Sequence, residues 1–160
     1  MIPEEGGWIS KFIYRMQNIL EIKNKMEQQA KNDFAAANVR LMEEEEKLEM
    51  CVQKRTRLEE DGRELLLAER LSILDIEENK KLVAHAGEQV RAQTIQVRMA
   101  QKKVEEMRIR MQKAMQERKT QELLKEKAFE EFLQEEKAAE SKEIDQLTSY
   151  AYGLKTDDGR

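Results

Sequence analysis

Val83, Val90, Val97, Val104 and Met111 stand at a strict seven-residue interval, and nothing else in the chain constrains its fold as tightly. Companion positions three residues further on are Ala86, Gln93, Ala100, Met107, Ala114 and, one heptad later, Gln121. A seven-residue apolar repeat keeps its stripe on one side only when the helix supercoils left-handedly against another helix. Alanine on alternate companion positions lets the partner backbone come close. No breaker interrupts this helix before about Tyr150, and Gly153 is its first stop signal.

The first half of the chain carries a second, less regular series. Phe12, Ile19 and Met26 recur every seven residues, flanked by Met16 and Ala30; the register then slips to Phe34, Leu41 and Leu48, and Leu58 and Leu65 close the series. Glu21–Lys25, Glu27–Lys31, Glu43–Lys47 and Glu59–Arg63 stand at i,i+4, a spacing that supports a water-exposed helix by about 0.2–0.5 kcal/mol per pair.

Composition agrees with long helices. Charged residues make up 39% of the chain and aromatics 5%, and the only proline is Pro3, which leaves little for a conventional core. Runs of Val, Ile, Thr and aromatic residues that would read as strands are missing. The net charge is −4, and neither half is basic enough for nucleic acid to be the main partner. The run from Arg98 to Lys119 holds eight basic and three acidic residues and reads as a solvated helix face. Cys51 is the single cysteine, so no intramolecular disulfide is expected. No signal peptide and no apolar stretch of about 20 residues is found, so a cytoplasmic protein is expected, reaching a membrane only through partners.

Two heptad series on one chain require a reversal. Asp61-Gly62 is the favoured position because Asp-Gly is a turn pair, and Gly87 is the rival, although Val83 and Val90 continue in register across it. The expected organisation is a lead at 1–9 with Ser10 as N-cap, a helix over 10–61, a turn at 62–66, a longer helix over 67–150 and a tail at 151–160. This is an all-α, two-helix antiparallel coiled-coil hairpin. Folded back there, Glu21 and Glu27 would face Arg98, Lys102 and Lys103, and the Glu43–Glu46 run would face Lys80 and Lys81. The chain from about Lys119 onward would overhang as a single helix. A hairpin of this kind predicts a monomer, and a parallel coiled coil predicts a dimer.

Catalytic and cofactor readings find no support. His85 is the only histidine, with Leu82 three residues before it where a di-metal motif needs glutamate. Four consecutive helical carboxylates at Glu43–Glu46 point in different directions and make no calcium loop. There is no glycine-rich phosphate loop. No metal, cofactor or catalytic residue is therefore expected. Met16, Met26, Met107 and Met111 fall on seam positions and read as core. The stretch Leu65–Ile76 is different, because its apolar side chains point nearly all round a helix. It forms either a local cap or an exposed apolar partner site.

The chain opens with Lys11-Phe12-Ile13-Tyr14-Arg15-Met16-Gln17-Asn18-Ile19-Leu20-Glu21-Ile22-Lys23, followed by Glu27, Ala30, Lys31 and Ala36. Toward the other end stand Arg118-Lys119, Glu122, Leu124, Lys125, Lys127, Glu135-Glu136 and Lys142-Glu143-Ile144-Asp145. Both stretches resemble the flagellar export protein FliJ family. The ending Tyr150-Ala151-Tyr152-Gly153-Leu154-Lys155 is less basic than the family pattern. The resemblance implies a non-enzymatic stalk of the type III export apparatus, at the cytoplasmic face of the membrane. Its implied partners are the hexameric export ATPase, the cytoplasmic part of the export gate and substrate chaperones. On that basis Phe12, Arg15, Gln17, Lys119, Glu122 and Lys127 are the expected ATPase contacts, and Leu66, Leu71, Leu74 and Ile76 the expected gate contacts. A structural spacer, or the equivalent stalk of a virulence secretion system, would share the fold.

Overall fold

A computed structural model describes residues 11–157 of the protein. The expected lead at 1–9, the Ser10 cap and the last residues of the expected tail lie outside the described residues. Within them the protein is all-α, with α1 at Gln17–Leu67 and α2 at Ile73–Asp157 and no strand among the described residues. No described helix is long and apolar enough to cross a membrane.

The helix boundaries differ from the sequence expectation at every point. α1 begins at Gln17 rather than at residue 10, after a turn in which the Gln17 amide donates to the Tyr14 carbonyl at 3.2 Å. Ahead of it, Phe12 is held by ring contacts in place of helical hydrogen bonds. α1 then continues through Gly62 to Leu67, and the interruption is at residues 68–72. Ser72 sets the restart. Its hydroxyl accepts from the Asp75 amide at 3.4 Å, its carbonyl accepts from the Ile76 amide at 3.1 Å, and Asp75 places an acid in the first turn. These are the features of an N-cap. At the far end α2 passes Gly153 and runs to Asp157, so residues 151–157 are helical. One helical glycine costs only about 1 kcal/mol against alanine.

The chain divides into two units, Met26–Met115 and a second made of Met1–Lys25 with Gln116–Arg160. In the 26–115 unit, α1 and α2 meet through alternating three- and four-residue steps. On α1 the covered positions are Glu27, Ala30, Phe34, Ala37, Leu41, Glu44, Leu48, Cys51, Arg55, Leu58, Gly62 and Leu65. On α2 the expected seam is the observed one: Ala86, Val97, Ala100, Met107 and Ala114 are buried, and Val83, Val90, Val104 and Met111 are half-buried. Small residues stand at several of the covered sites, with Ala86 at 1%, Ala30 at 4% and Ala37 at 7% exposure, beside the larger Met107 and Glu44. That permits close approach of the two backbones.

Two side chains from α2 reach the α1 backbone and fix the pairing. The Gln93 amide donates to the Glu44 carbonyl at 3.0 Å and to the Glu44 carboxylate. The Asn79 amide donates to the Leu58 carbonyl at 2.9 Å. Stepping fourteen residues forward on α1, from Glu44 to Leu58, therefore steps fourteen back on α2, from Gln93 to Asn79. Glu44 lies against Gln93, not against Lys80 and Lys81, because the reversal falls later than Gly62. Gly62 has another purpose: a Cβ there would run into the Asn79 side chain. Gly87, with nothing within 4 Å of its would-be Cβ, continues α2 as an ordinary helical residue.

The other unit has its own contacts. Phe12 packs on Phe129 with centroids 5.2 Å apart and on Phe132 at 5.4 Å. Lys125 donates to the Gln17 side-chain oxygen at 2.8 Å, and Lys23 pairs with Glu117 at 2.9 Å. Leu20 is buried, while Met16, Ile19 and Ile22 are exposed. The slip expected after Met26 does not occur. Glu27 and Phe34 are seven residues apart on the covered side, and Met26, at 48%, is exposed. Beyond Glu136, every side chain through Lys155 is exposed.

Candidate functional site

Three elements of the unit made of Met1–Lys25 with Gln116–Arg160 position the residues expected to touch an ATPase: the segment before α1, the first turns of α1 and the middle of α2. Phe12 and Gln17 are half-buried there and take part in the pairing itself, through the phenylalanine cluster and the Lys125 hydrogen bond. Glu122 is exposed and accepts from Arg118 at 2.7 Å. Arg15, Lys119 and Lys127 are exposed, and none of the three has an ion-pair partner among the described residues. The expected set thus separates into two residues that build the surface and three cations that project from it. Lys125, which the spacing did not single out, links the two helices; its signal was its seam position seven residues after Arg118.

The apolar end of the 26–115 unit is exposed. Leu66, Leu71 and Leu74 are 62%, 61% and 79% exposed around the 68–72 interruption. Ile76, expected beside them, is half-buried because it takes the first seam position of α2, three residues before Asn79. Leu67 at 86% and Ile73 at 71% complete the patch instead. The sequence signal for them was present, since both lie inside the run that is apolar all round a helix. Five large aliphatic side chains are thus exposed within nine residues, and exposed apolar patches of this kind mark interaction surfaces.

Charge is arranged around one covered carboxylate. Glu44 sits on the seam and is held below the ordinary carboxylate range, first by the Gln93 hydrogen bond and then by Lys47 and Arg40, against a burial penalty that pushes the other way. Arg40 and Lys47 approach it at 3.0 and 3.5 Å. Glu27, also covered, pairs with Lys31 at 3.0 Å as its spacing suggested. Lys47 turns to Glu44 rather than Glu43, and Glu59 approaches Arg55 at 3.7 Å. His85 is exposed and Cys51 is half-buried on the seam. Among the described residues, no group of three or more His, Cys, Asp or Glu side chains is arranged to hold a metal ion.

The described residues present an aromatic-braced helix pair edged with cations in one unit, and exposed leucines and isoleucine around the 68–72 interruption in the other. No curated protein and no solved structure matches the chain. The model of the family described as flagellar FliJ protein matches residues 11–156. That match takes in nearly every described residue of both surfaces, and the chain belongs to the flagellar FliJ protein family.

Proposed function

We propose that this protein is a non-enzymatic stalk of the flagellar type III export apparatus. The family match over residues 11–156 carries the reading. Flagellar export supplies the setting, with the export ATPase ring, the cytoplasmic domain of the export gate and substrate chaperones as partners, at the cytoplasmic face of the membrane. The chemistry of hydrolysis belongs to the ring.

The fold suits that part. Within each unit α1 and α2 pair with opposite directions, as in an antiparallel coiled coil, and α2 projects past Phe132 beyond the start of α1. Arg15, Lys119 and Lys127 are the ATPase contacts in this reading, on a surface whose geometry Phe12 and Gln17 maintain and Glu122 borders. Leu66, Leu71 and Leu74 meet the gate, with Leu67 and Ile73 added and Ile76 holding the α2 seam beneath them. An exposed leucine buried on binding contributes roughly 1.5–3 kcal/mol, enough for three or four to make a specific contact.

Phosphate release by the flagellar export ATPase, measured with and without the full-length protein, tests the reading. The protein should raise the rate, and Arg15→Glu/Lys119→Glu/Lys127→Glu should lose most of the effect with helicity unchanged. Equal stimulation by the reversed variant would remove these three residues from the contact. No binding to any export component by the unaltered protein would overturn the assignment.

A further inference from the structure

On one flank of the 26–115 unit a shallow groove of about 810 Å³ runs between α1 and α2, past Met50, Cys51, Lys54 and Arg57 on one side and Gln89 and Gln96 on the other. No carboxylate lines it, in a chain that carries 33 acidic residues. Lys54 and Arg57 are exposed and have no ion-pair partner among the described residues. Their neighbours Lys47 and Arg40, one and two heptads before Lys54, are by contrast occupied by Glu44. Across the groove, the Gln89 and Gln96 amides make no hydrogen bond within the described residues. Met50, 69% exposed, supplies an apolar contact at the same place.

We propose that this groove docks a carboxylate-rich segment of a partner protein. The two cations stand three residues apart on α1, close enough to receive carboxylates one helical turn apart on a partner. The glutamines stand seven residues apart on α2, roughly 10 Å along the axis, and their amides can both donate to and accept from a peptide. Nucleic acid fits less well. A phosphate backbone needs an extended basic track, and here two free cations sit on a chain of net charge −4. The groove is separate from the apolar patch at 66–74 and from the ATPase contacts, so its occupant is a further partner.

Cys51 makes the test site-specific, because it is the only cysteine and it lines the groove. The rate of its alkylation by iodoacetamide in the full-length protein is followed as short poly-L-glutamate is added. Saturable slowing is expected for the unaltered protein and for Arg91→Glu/Arg98→Glu, whose exposed arginines do not line the groove. Lys54→Glu/Arg57→Glu should raise the half-saturating concentration roughly tenfold, the scale of two exposed ion pairs. The neutral pair Lys54→Gln/Arg57→Gln should raise it less, and helicity should be unchanged in every variant. Absence of slowing would overturn the proposal, as would equal loss in both charge-reversed pairs. Protection by a single-stranded oligonucleotide but not by polyglutamate would assign the groove to nucleic acid. Slowing that tracks protein concentration without peptide would assign it to a second copy of this chain.

Discussion

A methyl group added at Gly62 would collide with the Asn79 side chain, whereas one added at Gly87 meets nothing within 4 Å. Both positions gain about 1 kcal/mol of helix propensity on change to alanine. Gly87→Ala should therefore raise thermal stability by about 0.5–1 kcal/mol. Gly62→Ala displaces Asn79 from the Leu58 carbonyl and should end about 1 kcal/mol below Gly87→Ala, the net worth of a typical hydrogen bond. Equal melting shifts for the two variants would contradict this account of Gly62. Glu44 makes the second residue-scale case. The folded chain holds its carboxyl below the ordinary value of 4.5, so the ionised form favours folding. Its contribution is complete above that value and is lost as pH falls through the lower folded one. The melting difference between the unaltered protein and Gln93→Ala should consequently narrow below about pH 4.5, and a difference independent of pH would separate Gln93 from Glu44. Neither role was legible in the sequence. Asp61-Gly62 has the composition of a turn, and with the reversal placed there the Glu43–Glu46 run falls opposite Lys80 and Lys81 instead of Gln93.

At the scale of elements, the seam of α2 was legible, though not the helix's ends, because it is built from apolar residues, Val83 through Met111, that keep one phase. α1 was misread because its seam carries Glu27, Glu44, Arg55 and Gly62. Following apolar residues alone, the phase drifts onto Ile19 and Met26, which are 38% and 48% exposed. The start signal of α2 was present and outweighed: Ser72 and Asp75 have capping-box spacing, but Asp-Gly is the stronger turn pattern. Ser72→Ala should cost about 1 kcal/mol and fray the first turn of α2, visible as faster amide exchange at residues 73–76. Unchanged exchange there would mean that the interruption is set by something other than the cap. Val97→Ala, in the seam at 7% exposure, should cost roughly 1.5–2.5 kcal/mol, the two lost methyl groups plus a small cavity. The same change at Ile95, 54% exposed, should stay within about 0.5 kcal/mol.

For the whole molecule, membership of the flagellar FliJ protein family gives the setting, flagellar export. The all-α class, the α2 seam and the apolar stretch around 66–74 are legible in the residues alone. The pairing register depended on where the chain reverses, and a few residues' error there moved every expected cross-helix partner. The contacts of Glu44 with Gln93, Leu58 with Asn79, Gln17 with Lys125 and Phe12 with Phe129 all join residues of one chain. The groove, the braced cations and the exposed leucines exist in this form only if those pairings are intramolecular. Light scattering on the full-length protein in dilute solution decides that point. Intrachain pairing predicts a single species of 18.9 kDa. A stable mass of about twice that, kept when Lys54, Arg57, Leu66 and Leu74 are replaced by glutamate so that surface association is removed, would mean the helices pair between chains, and the account of both surfaces would fall with the hairpin.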